Sequence, residues 1–247
     1  MERIESVNNE RVKRIIALKD KSERRKTGLF VVEGYNNIKD CPIKAEELFV
    51  CSDFDKALPV CDNVYYVSRR VADKISDTVT TQGIFGIYRI PDTSVKAPVG
   101  TKTIVLDGIS DSGNIGTIIR TAVACGYSDV YFHNCADIFS PKAVRAAMSA
   151  IFKLNVSIGT ADEILRVLKS EGFIPYILDM NGKNVFETEL VKPAFIVGSE
   201  AHGVSDAFGD SVENVISLPM KSMESLNAGV AAGVVMYVHA YGLNKKH

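Results

Sequence analysis

Two patterns of apolar and polar positions divide the chain. Up to residue 90, short runs rich in Val, Ile, Phe and Tyr predict strands at 29–34, 47–51, 64–67 and 84–90. A helical rhythm of apolar positions predicts a helix over 8–20, and Ser68 is placed to cap a second helix over 68–76. This mixture predicts a small α/β domain.

From residue 103 onward, strands and helices alternate. Apolar runs predict strands at 103–108, 129–133, 153–158, 173–180, 194–199 and 214–219. Helical periodicity predicts helices at 114–126, 140–150, 161–172 and 225–241, with Ser140 and Ser225 as N-caps. The alternation implies a mostly parallel sheet with helices on both faces, whose ligands bind beyond the carboxyl ends of the strands.

Segment 91–102 separates the two patterns. It holds two prolines, a glycine and several small polar residues. We therefore expect a first domain over residues 1–97 and a second over 98–247.

Composition narrows the functional classes. With 46% hydrophobic residues and a net charge of -1, the 247-residue chain is expected to fold, and it has no global basic signature of nucleic-acid binding. The segment Arg11–Lys26 is a local exception, with eight basic and two acidic residues. It is either a surface that follows a phosphate backbone or an ordinary solvated helix face.

The chain is expected to be a cytoplasmic protein without a metal. Its longest apolar run, 228–238, has 11 residues, whereas a bilayer crossing needs about 20. The first eleven residues lack the apolar core of a signal peptide. No C-x-x-C pair occurs among the cysteines, which favours reduced thiols over zinc ligands; they are Cys41, Cys51, Cys61, Cys125 and Cys135.

The loop DGISDSGNIGTIIR (107–120) runs from a strand into a helix and is rich in glycine, as phosphate-binding loops are. It is not a P-loop, because Asn114 and Ile115 occupy the positions of Lys and Ser/Thr, and it lacks the G-x-G-x-x-G fingerprint. Asn114 is interpreted as a helix cap. Arg120 follows Ile119 in an apolar stretch and needs a partner, either a ligand or Glu200 within the fold.

Two later loops are also candidates. VGSEAHGVSD (197–206) places Glu200 between two glycines, of which Gly198 allows a ligand to approach the backbone. It is not a nucleophile elbow, and His202 is interpreted as an ordinary loop residue. Met220 and Met223, in the loop before the last helix, are interpreted as core or loop filler.

Small residues dominate the start of the last helix. They suit close packing against a neighbouring helix or a partner subunit, and they are Ala228, Gly229, Ala231, Ala232 and Gly233.

Together the three loops resemble the motifs of SPOUT methyltransferases, specifically the SpoU (TrmH-like) RNA ribose methyltransferase family. The pattern N-x-G-x-x-x-R is matched by Asn114, Gly116 and Arg120. The pattern G-[SA]-E-x-x-G is matched by Gly198, Ser199, Glu200 and Gly203. The third, P-M followed by S-L-N, is matched by Pro219, Met220, Ser225, Leu226 and Asn227. The resemblance covers about residues 101–243.

The first domain resembles the L30e-like substrate-binding domain that often precedes this family's catalytic domain. The similar pieces are VVEG (31–34) and TTQGIFGIY (80–88). Where the family often carries a basic residue after Glu33 and Gly34, this chain has Tyr35, Asn36 and Asn37.

The resemblance implies a SPOUT-type knotted, Rossmann-like parallel sheet with a C-terminal trefoil knot, working as a homodimer with the active site near the interface. It implies S-adenosylmethionine bound mainly by backbone around Leu178, Gly198, Leu218 and Leu226. The implied reaction is methyl transfer to a ribose 2′-hydroxyl of structured RNA, with 23S-type ribosomal RNA favoured over transfer RNA. No metal is needed, because the sulfonium donor is already reactive.

The resemblance also implies roles for five residues. We expect Arg120 to grip a phosphate and stabilise developing charge rather than act as a base, because a guanidinium stays protonated. Asn114 and Asn227 are expected to orient the ribose, and Glu200 to hold Arg120. Ser225 either contacts the hydroxyl or caps its helix. Two rival hypotheses are an inactive RNA-binding protein of the same fold and a nucleotide-dependent oxidoreductase.

Overall fold

The computed structural model describes residues 2–223 and 225–242, which form parts of two compact units. The first unit comprises the chain up to Pro91 together with Asp137–Phe152. The second comprises Asp92–Ala136 and the chain from Lys153 onward. This division differs from the expected domains 1–97 and 98–247, because a segment from the middle of the chain packs with the first unit.

The first unit is built on a mixed five-stranded sheet in the order β1-β4-β3-β5-β2. Its strands are β1 (Glu2–Ile4), β2 (Leu29–Glu33), β3 (Glu47–Cys51), β4 (Val64–Val67) and β5 (Ile84–Arg89). Its helices are α1 (Glu10–Ala17), α2 (Lys21–Thr27), α3 (Tyr35–Lys39), α4 (Arg69–Ile75) and, from the later segment, α6 (Pro141–Ala147). A 3-10 turn over Met148–Phe152 follows α6.

The later segment is held in the first unit by a buried ion pair and an aromatic cluster. The guanidinium of Arg24, which is 3% exposed, donates from Nη2 to Oδ2 of Asp137 at 2.6 Å and from Nη1 to the carbonyl of Leu18 at 2.7 Å. The Phe30 ring lies 5.0 Å from that of Phe139, between centroids. These contacts explain why α6, predicted with its Ser140 cap among the helices of the second domain, belongs to the first unit.

The basic segment Arg11–Lys26 does not form one continuous basic face. The helix predicted over 8–20 ends at Ala17, and a turn leads into α2. Arg14 pairs with Glu47, and Arg24 is buried. Lys13 and Arg25 remain exposed, so only part of the segment is available to a phosphate backbone.

The second unit is a six-stranded sheet in the order β11-β9-β10-β6-β7-β8, with every pair parallel. Its strands are β6 (Thr103–Asp107), β7 (Asp129–His133), β8 (Asn155–Ile158), β9 (Ile174–Asn184), β10 (Pro193–Val197) and β11 (Val215–Ser217). Its helices are α5 (Ser112–Ala124), α7 (Ala161–Ser170), α8 (Asp206–Gly209) and α9 (Ala228–Tyr241). The parallel sheet flanked by helices is the α/β fold predicted from the alternation.

Two helices begin at other residues than predicted. The carboxylate of Asp111, not Asn114, caps α5 by accepting from the backbone N–H of Asn114 at 2.9 Å. Asn227, not Ser225, caps α9, and its Oδ1 accepts from the N–H groups of Gly229 and Val230 at 3.0 and 3.3 Å. Both caps satisfy backbone donors that the first helical turn leaves unpaired.

The small residues of α9 pack within the chain. A Cβ on Gly229 would lie 3.5 Å from Cγ2 of Thr117, and one on Gly233 would lie 3.6 Å from Cγ2 of Thr121, both on α5. The two helices therefore approach closely along this face, so these glycines do serve packing against a neighbouring helix, and the partner subunit stays a prediction.

Across the part of the chain that the structure describes, no helix is both long and apolar enough for a bilayer crossing. All five cysteines are free of disulfide bonds.

We expect His239 of α9 to make the protein less stable at acidic pH. Its Nδ1 lies 3.0 Å from the Tyr127 hydroxyl oxygen, and burial, with a smaller effect of Lys102, lowers the pKa of His239. In the unfolded chain a histidine has a pKa of about 6.5, so unfolded His239 binds a proton more readily than folded His239. The free energy of unfolding therefore falls as the pH decreases from about 6.5 to the lower pKa of the folded state. Urea unfolding from pH 8 to 5 should show this loss, and His239→Asn should flatten it.

Candidate active site

A cavity of about 270 Å³ in the second unit lies at the carboxyl ends of β10 and β11 and beside the middle of β9. The four residues expected to bind the cofactor all line it: Leu178, Gly198, Leu218 and Leu226. Asp179 and Glu200 add two carboxylates to the lining. Sequence reasoning missed Asp179, although its position directly after Leu178 was a usable signal.

Asn114, Glu200 and Asn227 form one hydrogen-bonded cluster beside this cavity. Oε1 of Glu200 accepts from Nδ2 of Asn114 at 2.7 Å and from Nδ2 of Asn227 at 2.9 Å. The same amide nitrogen of Asn227 lies 3.0 Å from Oδ1 of Asn114. One residue from each of the three loops therefore meets at a single point.

The cluster is tied to the start of α9. Oε1 of Glu200 also accepts from the backbone N–H of Ala228 at 3.0 Å. A carboxylate at a helix N-terminus is stabilised by the partial positive charge of the unpaired N–H groups. Glu200 consequently fixes the position of the helix cap, Asn227, as well as that of Asn114. Oε2 of Glu200 accepts no hydrogen bond from the described residues.

The loop that carries Glu200 is a tight turn closed by backbone hydrogen bonds. Ser199 and Gly203 exchange N–H···O bonds of 3.0 and 2.9 Å, and Gly203 has φ +68°. A Cβ on Gly198 would lie 2.1 Å from the carbonyl carbon of Gly203. Gly198 is thus required by the chain's own backbone, whereas the sequence suggested room for a ligand.

Arg120 is exposed and does not pair with Glu200, contrary to one expectation. Its neighbours Ile118 and Ile119 are buried on other sides of α5, because successive residues of a helix are 100° apart. Arg120 forms no ion pair with any residue between positions 2 and 242 that the structure describes. Its charge is carried into solvent and is available to another molecule.

Three other residues from the sequence analysis line this cavity, and a fourth does not. Ser225 is exposed and lines the cavity, and it does not cap α9; its contact with the hydroxyl stays a prediction. His202 and Met220 also line the cavity. Met223 is 72% exposed, which excludes it from the core.

The described residues contain no cluster of three or more His, Cys, Asp or Glu side chains that could hold a metal ion. Cys135 is the cysteine that follows β7, and burial raises the pKa of its thiol to about 11. A thiolate nucleophile is therefore not available there at neutral pH.

In the first unit, the two sequence pieces VVEG and TTQGIFGIY contact each other. Oε1 of Glu33 accepts from the hydroxyls of Ser76, Thr78 and Thr81, at 2.5, 3.1 and 3.1 Å. The backbone N–H of Tyr35 donates to Oε1 of Gln82 at 2.8 Å. The carboxylate thus organises the loop before β5, a role that the strand pattern alone did not indicate.

Comparison with known proteins identifies the family of the chain. The profile of the SpoU rRNA Methylase family matches residues 101–237, and that of an MRM3-like substrate binding domain matches residues 9–86. The chain belongs to the SpoU rRNA methylase family. A relative within it is the 23S rRNA (guanosine(2553)-2′-O)-methyltransferase RlmP of Bacillus subtilis, 30% identical over 246 residues, which are 96% of this chain and 98% of that protein. A 23S rRNA (adenosine(1067)-2′-O)-methyltransferase of Streptomyces laurentii is 28% identical and matches 72% of this chain and 69% of its own.

Solved structures share the fold of this SpoU chain. The AdoMet-bound rRNA methyltransferase from Sinorhizobium meliloti superposes with a TM-score of 0.86 at 23% identity, over 99% of both chains. The SpoU methyltransferase AviRb from Streptomyces viridochromogenes, in complex with AdoMet, gives a TM-score of 0.85 at 21% identity, over 95% of this chain and 98% of its own.

Proposed function

We propose that this SpoU protein transfers a methyl group from S-adenosylmethionine to a ribose 2′-hydroxyl of 23S-type ribosomal RNA. One observation carries the proposal: the second and third motif loops line one cavity, and Asn114 of the first is hydrogen-bonded into a cluster with Glu200 and Asn227 at its edge. The RNA class rests on the relatives of known activity, of which the Bacillus and Streptomyces enzymes are named for 23S rRNA.

The cavity residues fit S-adenosylmethionine in size and charge. About 270 Å³ is slightly below the ~300–1,000 Å³ range of small-molecule pockets, so the cavity holds a compact ligand. Leucine side chains suit the flat faces of the adenine ring. The carboxylates of Asp179 and Glu200 favour a ligand that carries positive charge. Leu178, Gly198, Leu218 and Leu226 would hold the group. When bound, S-adenosylmethionine supplies a methyl group activated by its sulfonium.

The protein's own groups position the acceptor. Glu200 holds the amides of Asn114 and Asn227 in one arrangement, which lets them orient a ribose without rearranging. Ser225, exposed at the cavity, is a further contact for the hydroxyl. Arg120 grips the adjacent phosphate and stabilises negative charge that develops on the oxygen.

We expect Gly198→Ala to weaken S-adenosylmethionine binding at least tenfold. The added Cβ would overlap the Gly203 backbone, so the turn that lines the cavity must move. Calorimetry checks this. Gly209→Ala is the matched control, because a Cβ there meets nothing within 4 Å. Equal affinity of the two variants would contradict a binding role for the 198–203 turn.

We further propose a cytoplasmic homodimer in which the exposed side of α9 is covered. Val230, Tyr237 and Tyr241 are 52%, 45% and 64% exposed on this helix. An apolar patch of this kind on a folded chain favours association. Light scattering at micromolar concentration should give twice the chain mass, and Tyr237→Glu should lower it; a wild-type monomer would contradict the proposal. The trefoil knot implied by the resemblance stays a prediction.

The central experiment is methyl transfer from labelled S-adenosylmethionine to purified unmodified ribosomal and transfer RNA, followed by mapping of 2′-O-methyl sites. Label in 23S rRNA is the expected result, and label in transfer RNA alone would replace the proposed substrate. Cofactor binding without transfer to either RNA would favour the inactive RNA-binding protein. Binding of NAD in place of S-adenosylmethionine would favour an oxidoreductase.

A further inference from the structure

The first unit contains an open depression of about 500 Å³, separate from the cavity described above. Its lining includes Tyr35, Lys39, Ile43, Lys44 and Val60. Ile43 is 47% and Val60 82% exposed. Lys44 pairs with Asp62 at 2.6 Å, so Lys39 is the lining lysine that offers charge. An apolar floor beside a lysine combines the two features that a nucleotide needs, a surface for the base and charge for the phosphate.

Tyr35 lines the depression, and its ring is contacted by two residues just outside the lining, Phe54 and Lys56. The Lys56 ammonium lies 4.9 Å from the centroid of its ring, and that of Lys39 lies 5.9 Å away. The Phe54 ring is 5.7 Å from it, tilted by 53°. Neither lysine forms an ion pair with a carboxylate of residues 2–223 or 225–242. Both ammonium groups therefore lie over the Tyr35 ring and remain available to an anion.

The family-like sequence pieces hold Tyr35 in place. Gly34 has φ +101°, a value that side-chain-bearing residues rarely adopt, and its N–H donates to the carbonyl of Ile84 at 3.1 Å. The next N–H, that of Tyr35, donates to Gln82. Gly34 and Gln82 thus turn the chain between β2 and α3 and fix the backbone that presents the tyrosine.

We propose that this surface binds an unpaired nucleotide of the RNA substrate, with the base against Tyr35 and Phe54 and the flanking phosphates on Lys39 and Lys56. The inference rests on the proposed function, since it supposes an RNA substrate. Stacking on an aromatic ring tolerates any base, and lysines contact the backbone without reading sequence. The site therefore selects unpaired over paired RNA.

A single tryptophan tests the stacking directly, because the chain contains none. Tyr35→Trp should lose fluorescence when titrated with octauridylate, and much less with a 12-base-pair RNA duplex. Tyr66→Trp, on β4, is the control and should not respond. An unresponsive Tyr35→Trp, or equal responses to the two RNAs, would overturn the proposal.

Affinity measurements separate the aromatic and charged parts. Tyr35→Ala should bind octauridylate at least fivefold more weakly, whereas Tyr35→Phe should bind nearly as wild type. Lys39→Ala and Lys56→Ala should each reduce the slope of log affinity against log salt by about 0.7. Lys74→Ala, an exposed lysine on α4, should leave the slope unchanged. A merely structural role for these residues would not move the salt slope.

Methylation assays distinguish failure of this inference from failure of the proposed function. If the wild-type enzyme methylates rRNA, Tyr35→Ala should raise KM for RNA with S-adenosylmethionine affinity unchanged, which also shows that the variant is folded. If the wild type methylates rRNA and Tyr35→Ala has the same KM for RNA, the nucleotide site would be overturned and the methyltransferase would stand. Absence of wild-type methylation together with quenching of Tyr35→Trp by octauridylate would overturn the methyltransferase and leave the nucleotide site.

Discussion

Arg120→Ala is expected to slow methyl transfer at least tenfold while leaving S-adenosylmethionine affinity unchanged. Arg120 is exposed on α5 and is not among the residues that line the cavity. Loss of a charge-assisted contact to phosphate costs about 1.5–3 kcal/mol, or roughly ten- to hundredfold in rate, and more where the contact acts mainly in the transition state. Calorimetry and a single-turnover methylation assay on the same preparation measure the two effects.

Two further variants sharpen this experiment. Arg120→Lys should restore little activity, because an ammonium lacks the planar fork that binds phosphate with two parallel hydrogen bonds. Arg166→Ala removes an exposed arginine from α7 and should behave as wild type. Near-normal activity of Arg120→Ala would refute the phosphate-binding role.

Of the variants proposed for unfolding measurements, Arg24→Ala, which breaks the Arg24–Asp137 pair, is expected to lower the free energy of unfolding most. Arg24→Ala leaves a carboxylate with 16% side-chain exposure without its cation, and removal of one member of a buried pair costs about 3–5 kcal/mol. It also frees the carbonyls of Leu18 and Lys19. Urea unfolding followed by circular dichroism should show this loss.

The exposed pair of Arg69 and Asp53 is the matched control. Both side chains are 52% exposed, so Arg69→Ala should cost far less stability than Arg24→Ala. In the double variant Arg24→Ala, Asp137→Ala, the cost should be less than the sum of the single costs by 1 kcal/mol or more. Additive costs would show that the two residues contribute independently.

Local pattern was sufficient for the parallel sheet. Buried strands need continuous apolar runs, and the strands predicted at 103–108, 129–133 and 194–199 appear within a residue or two as β6, β7 and β10. The pattern could not assign α6 to its unit, because the contact that holds its segment joins residues 113 positions apart. Short elements such as α3 also escaped notice, since five residues carry little periodicity.

The sequence predicted which residues form the candidate site, but not how they contact one another. The motif resemblance brought Asn114, Glu200 and Asn227 together, but it paired Glu200 with Arg120. Apolar neighbours in sequence made Arg120 look buried, whereas α5 turns it outward. The start of α9 was misplaced at Ser225 because a serine and an asparagine two residues apart are both good caps, and only the bonds to Gly229 and Val230 decide between them.

The return of Asp137–Phe152 to the first unit has a consequence for how the protein is made. When Pro91 leaves the ribosome, Arg24 has no carboxylate partner and Phe30 has neither Phe139 nor Phe152 beside it. About sixty more residues must be synthesised first, which takes roughly 3–12 s at ~5–20 residues per second. During that interval the nascent first unit exposes an incomplete core, and a fragment cut at residue 97 would remain in that state permanently.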